Sequence, residues 1–192
     1  MPLNHLKSYY FQVVPEITEE IWEDMVQKAT IQHYKKGEFY ISPGEQENFV
    51  TFISKGGFRY FSVVEEKELV CEFLFENNYL SEYESFLKRT PAKVFIQALE
   101  DSVVVKFHYN DVQECYSKYP LIEKFGRLIA EKFLIDTIER MNSMMASSPE
   151  ERYNKLAENN PELLQRVPQY MIASYIGVTP EALSRIRRRL VA

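Results

Sequence analysis

The chain has 192 residues, enough for one large domain or two small ones with their own cores. Its 45% hydrophobic and 27% charged residues are typical of globular proteins, and no stretch approaches the roughly 18 uninterrupted apolar residues of a membrane span. The net charge of −5 argues against a general polyanion binder, yet residues 150–192 carry seven basic and five acidic side chains. Because no basic-then-apolar leader opens the sequence, we expect a cytoplasmic protein with no membrane partner.

The first predicted helix covers Pro15–Thr30, where apolar side chains recur at helical spacing and Thr18 can cap the first turn. Beyond Ile31 the pattern changes to short apolar or alternating runs separated by turns. The predicted strands are Phe39–Ile41, Phe49–Ile53, Phe58–Val63, Leu69–Phe75, Val94–Leu99 and Val103–Phe107. Short strands at this spacing predict an antiparallel sandwich or jelly roll.

The polar and aromatic segment Glu76–Lys93 interrupts the rhythm of strands, and Glu82–Leu87 within it is predicted as a short helix. Such an insert is where a β-roll can build a binding site. Its aromatic and acidic side chains could line a pocket, or they could fill a vestigial pocket that holds no ligand.

Helical periodicity returns at Asn110–Tyr116 and continues from Pro120 to Met145. The apolar positions of the second helix cover more than one stripe, which favours packing both on its own domain and on a second chain. The alternative is an ordinary core helix. The residues predicted at the dimer interface are Phe125, Leu128, Ile129 and Phe133. Ala146-Ser147-Ser148-Pro149 would end this helix and form a hinge.

The C-terminal residues predict a helix-turn-helix after a preceding helix at Pro149–Glu158. Gly177 can take the left-handed conformation that ends the first helix, and Ala173 permits close helix packing. Thr179 is a good N-cap for the second helix. Leu183, Ile186 and Leu190 would then share one face, which leaves other positions free for an anionic partner: Ser184, Arg185, Arg188 and Arg189.

The order of β-roll, long helix, hinge and helix-turn-helix resembles the Crp/Fnr family of bacterial transcription regulators. The motifs Lys36-Gly37-Glu38, Pro43-Gly44-Glu45 and Gly57-Phe58-Arg59 add to the resemblance, which covers nearly the whole chain. It implies an α+β fold with three parts: a cyclic-nucleotide-binding-like β-roll or jelly-roll sensor domain (1–119), a dimerisation helix (120–146) and a helix-turn-helix DNA-binding domain (147–192). It also implies a homodimer that reads a palindromic operator in double-stranded DNA, with RNA polymerase as a candidate partner.

The resemblance assigns DNA contacts to positions in the second helix of the motif. Those that match are Thr179, Glu181, Ser184 and Arg185. Arg187, Arg188 and Arg189 are expected to contact phosphates, and the alternative is that they form a solvated helix end. Pro180 stands where better-known members often have arginine, so we expect a different operator. Many relatives continue into a hairpin wing, and the end of this sequence at Ala192 leads us to expect weaker backbone contacts.

The sequence departs from the family in the effector site. Cyclic-nucleotide binders of the family carry a Gly-Glu pair and, about ten residues later, an Arg-Ser or Arg-Ala pair that holds the cyclic phosphate. The matching positions here are Ser81-Glu82 and Ala92-Lys93. Without the bidentate arginine, we expect cyclic AMP to bind poorly or not at all. The predicted pocket for a small-molecule effector, if one exists, comprises Ser81, Glu82, Tyr83 and Lys93.

Cofactor and catalytic motifs are missing from the sequence. Cys71 and Cys115 are the only cysteines, so the N-terminal iron–sulfur cluster of one family branch is not expected. His5, His33 and His108 are isolated, which argues against haem and against the clustered metal ligands of a cupin-type metalloenzyme. With no catalytic motif, we expect a protein that is not an enzyme. The other open alternative is a ligand-binding or protein-interaction module that has lost DNA binding, which the acidic balance favours.

Overall fold

The computed structural model describes residues 2–191, with the side chains of Leu190 and Val191 excepted. The position predicted for Leu190 on the buried helix face therefore lies outside the described residues. The helices are α1 Pro2–Val13, α2 Glu19–Val26, α3 Tyr83–Lys88, α4 Tyr109–Lys118, α5 Pro120–Ala146, α6 Pro149–Asn159, α7 Leu163–Arg166, α8 Gln169–Ile176 and α9 Pro180–Val191. The strands are β1 Thr30–Tyr34, β2 Phe39–Ile41, β3 Phe49–Lys55, β4 Phe58–Val64, β5 Lys67–Leu74, β6 Tyr79–Leu80, β7 Phe95–Ala98 and β8 Ser102–His108.

The chain divides into two compact units, which are described separately. The first comprises Met1–Phe61 and Phe73–Lys132, and the second comprises Ser62–Glu72 and Phe133–Ala192. The strands form two four-stranded sheets with the orders β1-β8-β3-β6 and β2-β7-β4-β5. The predicted antiparallel sandwich is thereby confirmed, followed by the long helix α5.

The six predicted strands are all present, and two further strands were not predicted. β1 overlaps the helix predicted over Pro15–Thr30 only at Thr30, and no predicted strand covers its other residues; the observed helix is only Glu19–Val26. The Thr18 hydroxyl caps it as expected, accepting a hydrogen bond from the Ile21 amide at 3.4 Å. The error arises because β1 buries only Tyr34, so its sequence lacks the alternation that marks a half-buried strand.

Two hydrophobic clusters form the core of the first unit. One fills the sandwich and includes Phe58, Ile96 and Val104, each fully buried. The other lies where the helices pack on the sheet and includes Leu6 and Trp22. Leu6 belongs to α1, a helix that the sequence analysis did not predict.

Phe125 is a correction to the predicted dimer interface. Its side chain is 3% exposed and stacks on Tyr10, with ring centroids 3.7 Å apart and an interplanar angle of 10°. Leu128 and Ile129 are partly buried against the same cluster. Of the four predicted interface residues, only Phe133 is exposed, at 48%. The first half of α5 is therefore a core helix of its own chain, because its apolar stripe is used against α1 and the sheet.

The second unit contains the tip of the β4–β5 hairpin, the rest of α5 and α6 to α9. A capping box opens α6, in which Ser148 and Glu151 each bind the backbone N–H of the other. The buried side chains of the second unit include residues from α6, α7, α8 and α9, among them Tyr153, Leu156, Leu163, Ile172, Ile176, Leu183 and Ile186. These residues hold α8 and α9 as a packed pair.

Candidate nucleic-acid interface and effector cassette

A tight turn joins α8 to α9. Gly177 has φ +76°, and its amide donates to the Ser174 carbonyl at 3.0 Å while the Val178 amide donates to the Ala173 carbonyl at 2.9 Å. These bonds close the end of α8 in the left-handed conformation expected for glycine. A Cβ at Gly177 would also lie 3.0 Å from the Met144 methyl group. The turn therefore favours glycine chiefly for its conformation, because the flexible end of Met144 can move away from a Cβ.

Helix α9 has one buried face and one exposed face. Leu183 and Ile186 are 1% and 4% exposed, whereas the predicted DNA-contacting positions lie in solvent. The exposed residues are Thr179, Glu181, Ser184, Arg185, Arg188 and Arg189. The Thr179 hydroxyl accepts from the Ala182 amide at 3.3 Å, as an N-cap does. The helix thus presents a polar surface that is rich in arginine.

The arginines of α9 differ in what they contact. Arg189 forms an ion pair with Glu150 at 2.5 Å, and Arg187 donates to the Gln169 side chain at 2.8 Å. Arg188 donates to the Ser184 carbonyl of its own helix at 3.5 Å. Glu181 has a lowered pKa, chiefly through its own backbone N–H and then through Thr179 and the Arg185 charge. Arg185 and Arg188 would therefore have to break fewer or weaker contacts within the chain than Arg187 and Arg189 before they could contact a phosphate or a base.

The effector cassette, residues 81–93, is bound tightly to its own chain. Glu82 is the N-cap of α3, where its carboxylate accepts from the Ser85 amide at 2.6 Å. Ser81 donates its hydroxyl to the Phe49 carbonyl at 3.0 Å, and its amide donates to the Tyr60 hydroxyl at 3.0 Å. These contacts of Ser81 and Glu82 fold the cassette.

The other two predicted effector residues are not brought into the same cluster. Lys93 forms an exposed ion pair with Glu84 at 2.8 Å, and this contact is the main cause of the lowered pKa of Glu84. Tyr83 is half-buried and stacks on Phe86 with a centroid distance of 6.4 Å. Ala92, at the position of the family arginine, is buried with 4% exposure. Neither Ala92 nor Lys93 supplies a buried cation.

Arg89 is a functional-site candidate that the sequence analysis missed, although it is the one arginine between residues 76 and 93. It ends α3 in the left-handed conformation, with φ 56°. Its guanidinium donates to the Glu47 carbonyl at 2.9 Å and to the Asn48 side chain at 2.5 Å, and it lies 4.2 Å from the centre of the Tyr109 ring. These contacts commit Arg89 to holding the cassette against residues 47 and 48.

Glu47 is the second missed residue, and it is 2% exposed. Its carboxylate accepts from the amides of Phe49 at 2.9 Å and Glu82 at 3.2 Å, and from the Tyr40 hydroxyl at 3.2 Å. Burial raises its pKa, although these donors partly offset the effect. A carboxylate thus lies against the backbone of the cassette. A glutamate in a turn ahead of a predicted strand offered no sequence signal for this role.

Metal-binding groups are not assembled in the described part of the chain. No three His, Cys, Asp or Glu side chains between residues 2 and 191 are grouped so that they could hold a metal ion. Cys115 is buried and Cys71 is exposed. His108 caps α4, accepting from the Asn110 amide at 3.3 Å. Over the same residues, the helices are too short or too polar to cross a membrane.

The sandwich resembles a known class of domain. Residues 31–119 match the family model described as the cyclic nucleotide-binding domain. Comparison with curated proteins returned no match. The domain match covers the strands, the cassette and α4, and it does not extend to α8 and α9.

Solved structures with a similar fold include three from bacteria. The c-di-GMP-responsive global regulator CLP of Xanthomonas campestris is 16% identical, with a TM-score of 0.71 and coverage of 90% of this chain and 91% of that chain. FixK2 of Bradyrhizobium japonicum is 17% identical, with a TM-score of 0.70 and coverage of 84% of each chain. A putative crp/fnr-family transcriptional regulator of Eubacterium rectale is 15% identical, with a TM-score of 0.72 and coverage of 94% and 86%. At these identities, the likeness is one of fold.

Proposed function

We propose that this protein is a homodimeric DNA-binding transcription regulator of the Crp/Fnr type. The observation that carries the proposal is the two-faced helix α9, which buries Leu183 and Ile186 and exposes arginines directly after the Gly177 turn. In this proposal α8 and α9 form a helix-turn-helix, with α9 as the recognition helix in the major groove. Residues 1–119 would be the sensor domain, 120–146 the dimerisation helix and 147–192 the DNA-binding domain.

The exposed residues of α9 have distinct proposed roles. Glu181 can accept from a cytosine amino group, and Arg185 can donate to guanine or to a phosphate. Arg188 suits a phosphate contact, as do the hydroxyls of Thr179 and Ser184. Arg189 would first have to leave Glu150, so its net contribution to DNA affinity should be smaller than that of Arg185. The acidic remainder of the chain does not oppose this, because local charge governs phosphate contact.

The second half of α5 supports the proposed homodimer. Its exposed apolar side chains include four with spacings of four, three and four residues, the spacing of a coiled-coil seam. They are Leu134, Ile138, Met141 and Met145, with exposures from 44% to 79%. Exposed apolar groups in such a row are unfavourable in water, and a second copy of the same helix would cover them. The proposed interface therefore includes Phe133 and lies C-terminal to most of the residues that the sequence predicted.

The cassette supports a regulator that does not respond to cyclic AMP. A cyclic phosphate needs a free cation, but Arg89 is engaged with residues 47 and 48, Lys93 is paired with Glu84, and Ala92 is apolar. Isothermal calorimetry should give no micromolar cyclic AMP binding. A dissociation constant in that range would refute this part of the proposal.

DNA binding is tested by selecting bound sequences from a random duplex library and measuring affinity by fluorescence anisotropy. Arg185→Ala should weaken operator binding by about 1–3 kcal/mol if this side chain reads a base. Arg187→Ala removes the same charge from the same helix at a residue held by Gln169, and it serves as the matched control. Affinity should fall steeply with salt, with a slope set by the number of phosphate contacts. An affinity independent of salt would contradict phosphate contact.

The competing function is a ligand-binding or protein-interaction module without DNA binding, which the net charge of −5 favours. The library selection separates the two functions. Recovery of a palindromic consensus supports the regulator. Failure to enrich any sequence, from a protein that is folded and dimeric, supports the interaction module.

A further inference from the structure

The outer edge of β5 is completed by one side chain from α8. β5 is the last strand of its sheet, and an edge strand presents N–H and C=O groups with no partner strand. The Ser174 hydroxyl accepts from the Val70 amide at 2.9 Å and donates to the Glu68 carbonyl at 3.1 Å. A hydroxyl can do both because it carries one donor and two acceptor positions. All three residues belong to the second unit.

The next residue along α8 is held by two further elements. The Tyr175 hydroxyl donates to the Glu72 carboxylate at 3.3 Å. The Arg140 guanidinium lies 3.7 Å from the centre of the Tyr175 ring and donates to the Tyr175 carbonyl. Burial is the main reason that the pKa of Tyr175 is raised, so this hydroxyl keeps its proton and remains a donor. The side chain and the backbone carbonyl of Tyr175 are therefore both restrained.

Ile176, the last residue of α8, is held by α6. Arg152 donates from Nε to the Ile176 carbonyl at 2.8 Å, and from Nη1 to the Ser147 carbonyl at 2.5 Å. The carbonyls in the last turn of a helix lack helical partners, and a guanidinium there is favourable to both the free carbonyl and the helix dipole. Three consecutive residues are thus bound by a strand, by α5 and by α6, immediately before Gly177.

We propose that Ser174 is a positioning residue for DNA recognition, and this inference rests on the function proposed above. Its hydroxyl anchors α8 to the β5 edge and so limits how the Gly177 turn and α9 can move. Recognition of bases requires α9 in one orientation, whereas attraction to phosphates tolerates several. The anchor should therefore contribute to operator affinity much more than to non-specific affinity. Ser174 itself need not touch DNA.

The decisive variant is Ser174→Ala, which keeps the helix and removes only the hydroxyl. Operator affinity should fall roughly three- to tenfold, because part of the energy of the two lost hydrogen bonds is expressed in operator binding. Affinity for random duplex DNA and the salt slope should stay at wild-type values, because no phosphate contact is lost. Ser174→Thr retains a hydroxyl and should restore most of the operator affinity.

The matched control is Ser117→Ala, a helical serine whose hydroxyl donates to the Gln113 carbonyl of its own helix. It should change neither operator affinity nor random-DNA affinity. Equal losses on operator and random DNA in Ser174→Ala would show a merely structural role and overturn the inference. Wild-type operator affinity in Ser174→Ala would overturn it as well.

Hydrogen exchange separates this inference from the proposed function, because it needs no DNA. The Val70 amide should exchange faster in Ser174→Ala than in the wild type, whereas the Ala182 amide, bound by Thr179, should not change. Unchanged exchange at Val70 would overturn the anchor itself. A wild-type chain that binds no DNA, with Val70 protected by Ser174, would overturn the proposed function and leave the anchor without a role in DNA recognition.

Discussion

Replacing Phe125 by alanine should destabilise the folded chain rather than dissociate a dimer. The Phe125 side chain is only 3% exposed, and its ring stacks face to face on that of Tyr10. It also meets Tyr9 and Tyr79 edge-on, with centroids 6.1 and 5.9 Å away. Removing a buried phenylalanine costs about 3–5 kcal/mol, since the lost transfer energy and the cavity add. This is a large share of a typical unfolding free energy of roughly 5–15 kcal/mol.

Urea unfolding offers a direct assay, because the chain has one tryptophan and it belongs to the same cluster. Trp22 lies 5.9 Å from the ring of Tyr10, so its fluorescence reports on this part of the core. The unfolding free energy should be compared at a fixed protein concentration, since association would also add to it. Leu87→Ala is the control: this side chain is 54% exposed, and its loss should cost no more than about 0.5 kcal/mol.

The sequence pattern makes the opposite prediction for Phe125, namely that it lies between subunits. Sedimentation of the alanine variant decides between the two. A variant that unfolds at the wild-type urea concentration but sediments as a monomer would refute the core assignment. A variant that is destabilised by several kcal/mol while its folded fraction keeps the wild-type association state would support it.

Three further outcomes are expected. Ile138→Glu should shift sedimentation towards monomers without lowering helix content, because it places a charge in the exposed apolar row; an unchanged sedimentation coefficient would contradict the proposed seam. Glu66→Gly should raise the unfolding free energy by about 1 kcal/mol, since Glu66 has φ 65° in the β4–β5 turn, and unchanged urea unfolding would count against this strain. Lys118→Ala should raise the pKa of Asp24, measured by NMR titration, because the Lys118 contact is the main cause of its lowering. A carboxyl group whose pKa is lowered by folding stabilises the folded chain at pH values above its unfolded pKa, and this stabilisation is lost as the group is protonated in acid. The stability difference between wild type and variant should therefore shrink as the pH falls below about 4.

The cassette illustrates a limit of reasoning from motif positions. Ala92 and Lys93 indicated that a cyclic phosphate would lack its arginine, and the structure places no cation from either residue in the cassette interior. Arg89 lies three positions earlier and could have replaced the missing cation. Only its contacts with Glu47 and Asn48 show that it is used to hold the fold. Partners more than 40 residues away along the chain leave no periodic signal near Arg89.

The described strands and helices were largely predictable where turn residues, caps and periodicity within a short segment determine the secondary structure. β2 has the predicted bounds, and the turn at Gly177 follows from the low cost of a left-handed glycine. Helix α1 was missed because its stability comes from burying Leu6 and Tyr10 against distant residues, and not from caps or a clear periodic pattern.

Sequence alone determined most of the order of elements, the sandwich class and the arginine-rich face of α9, because periodicity, turn residues and charge are local properties. Tertiary structure decided which apolar side chains remain available for another chain. Phe125 and Ile138 lie on the same helix and look alike in sequence, yet one is covered by α1 and the sheet while the other is 44% exposed. It also decided that the Ser174 hydroxyl completes the edge of β5, since that contact joins residues 104 positions apart. Burial and long-range hydrogen bonds depend on how the whole chain packs, and no local pattern encodes them.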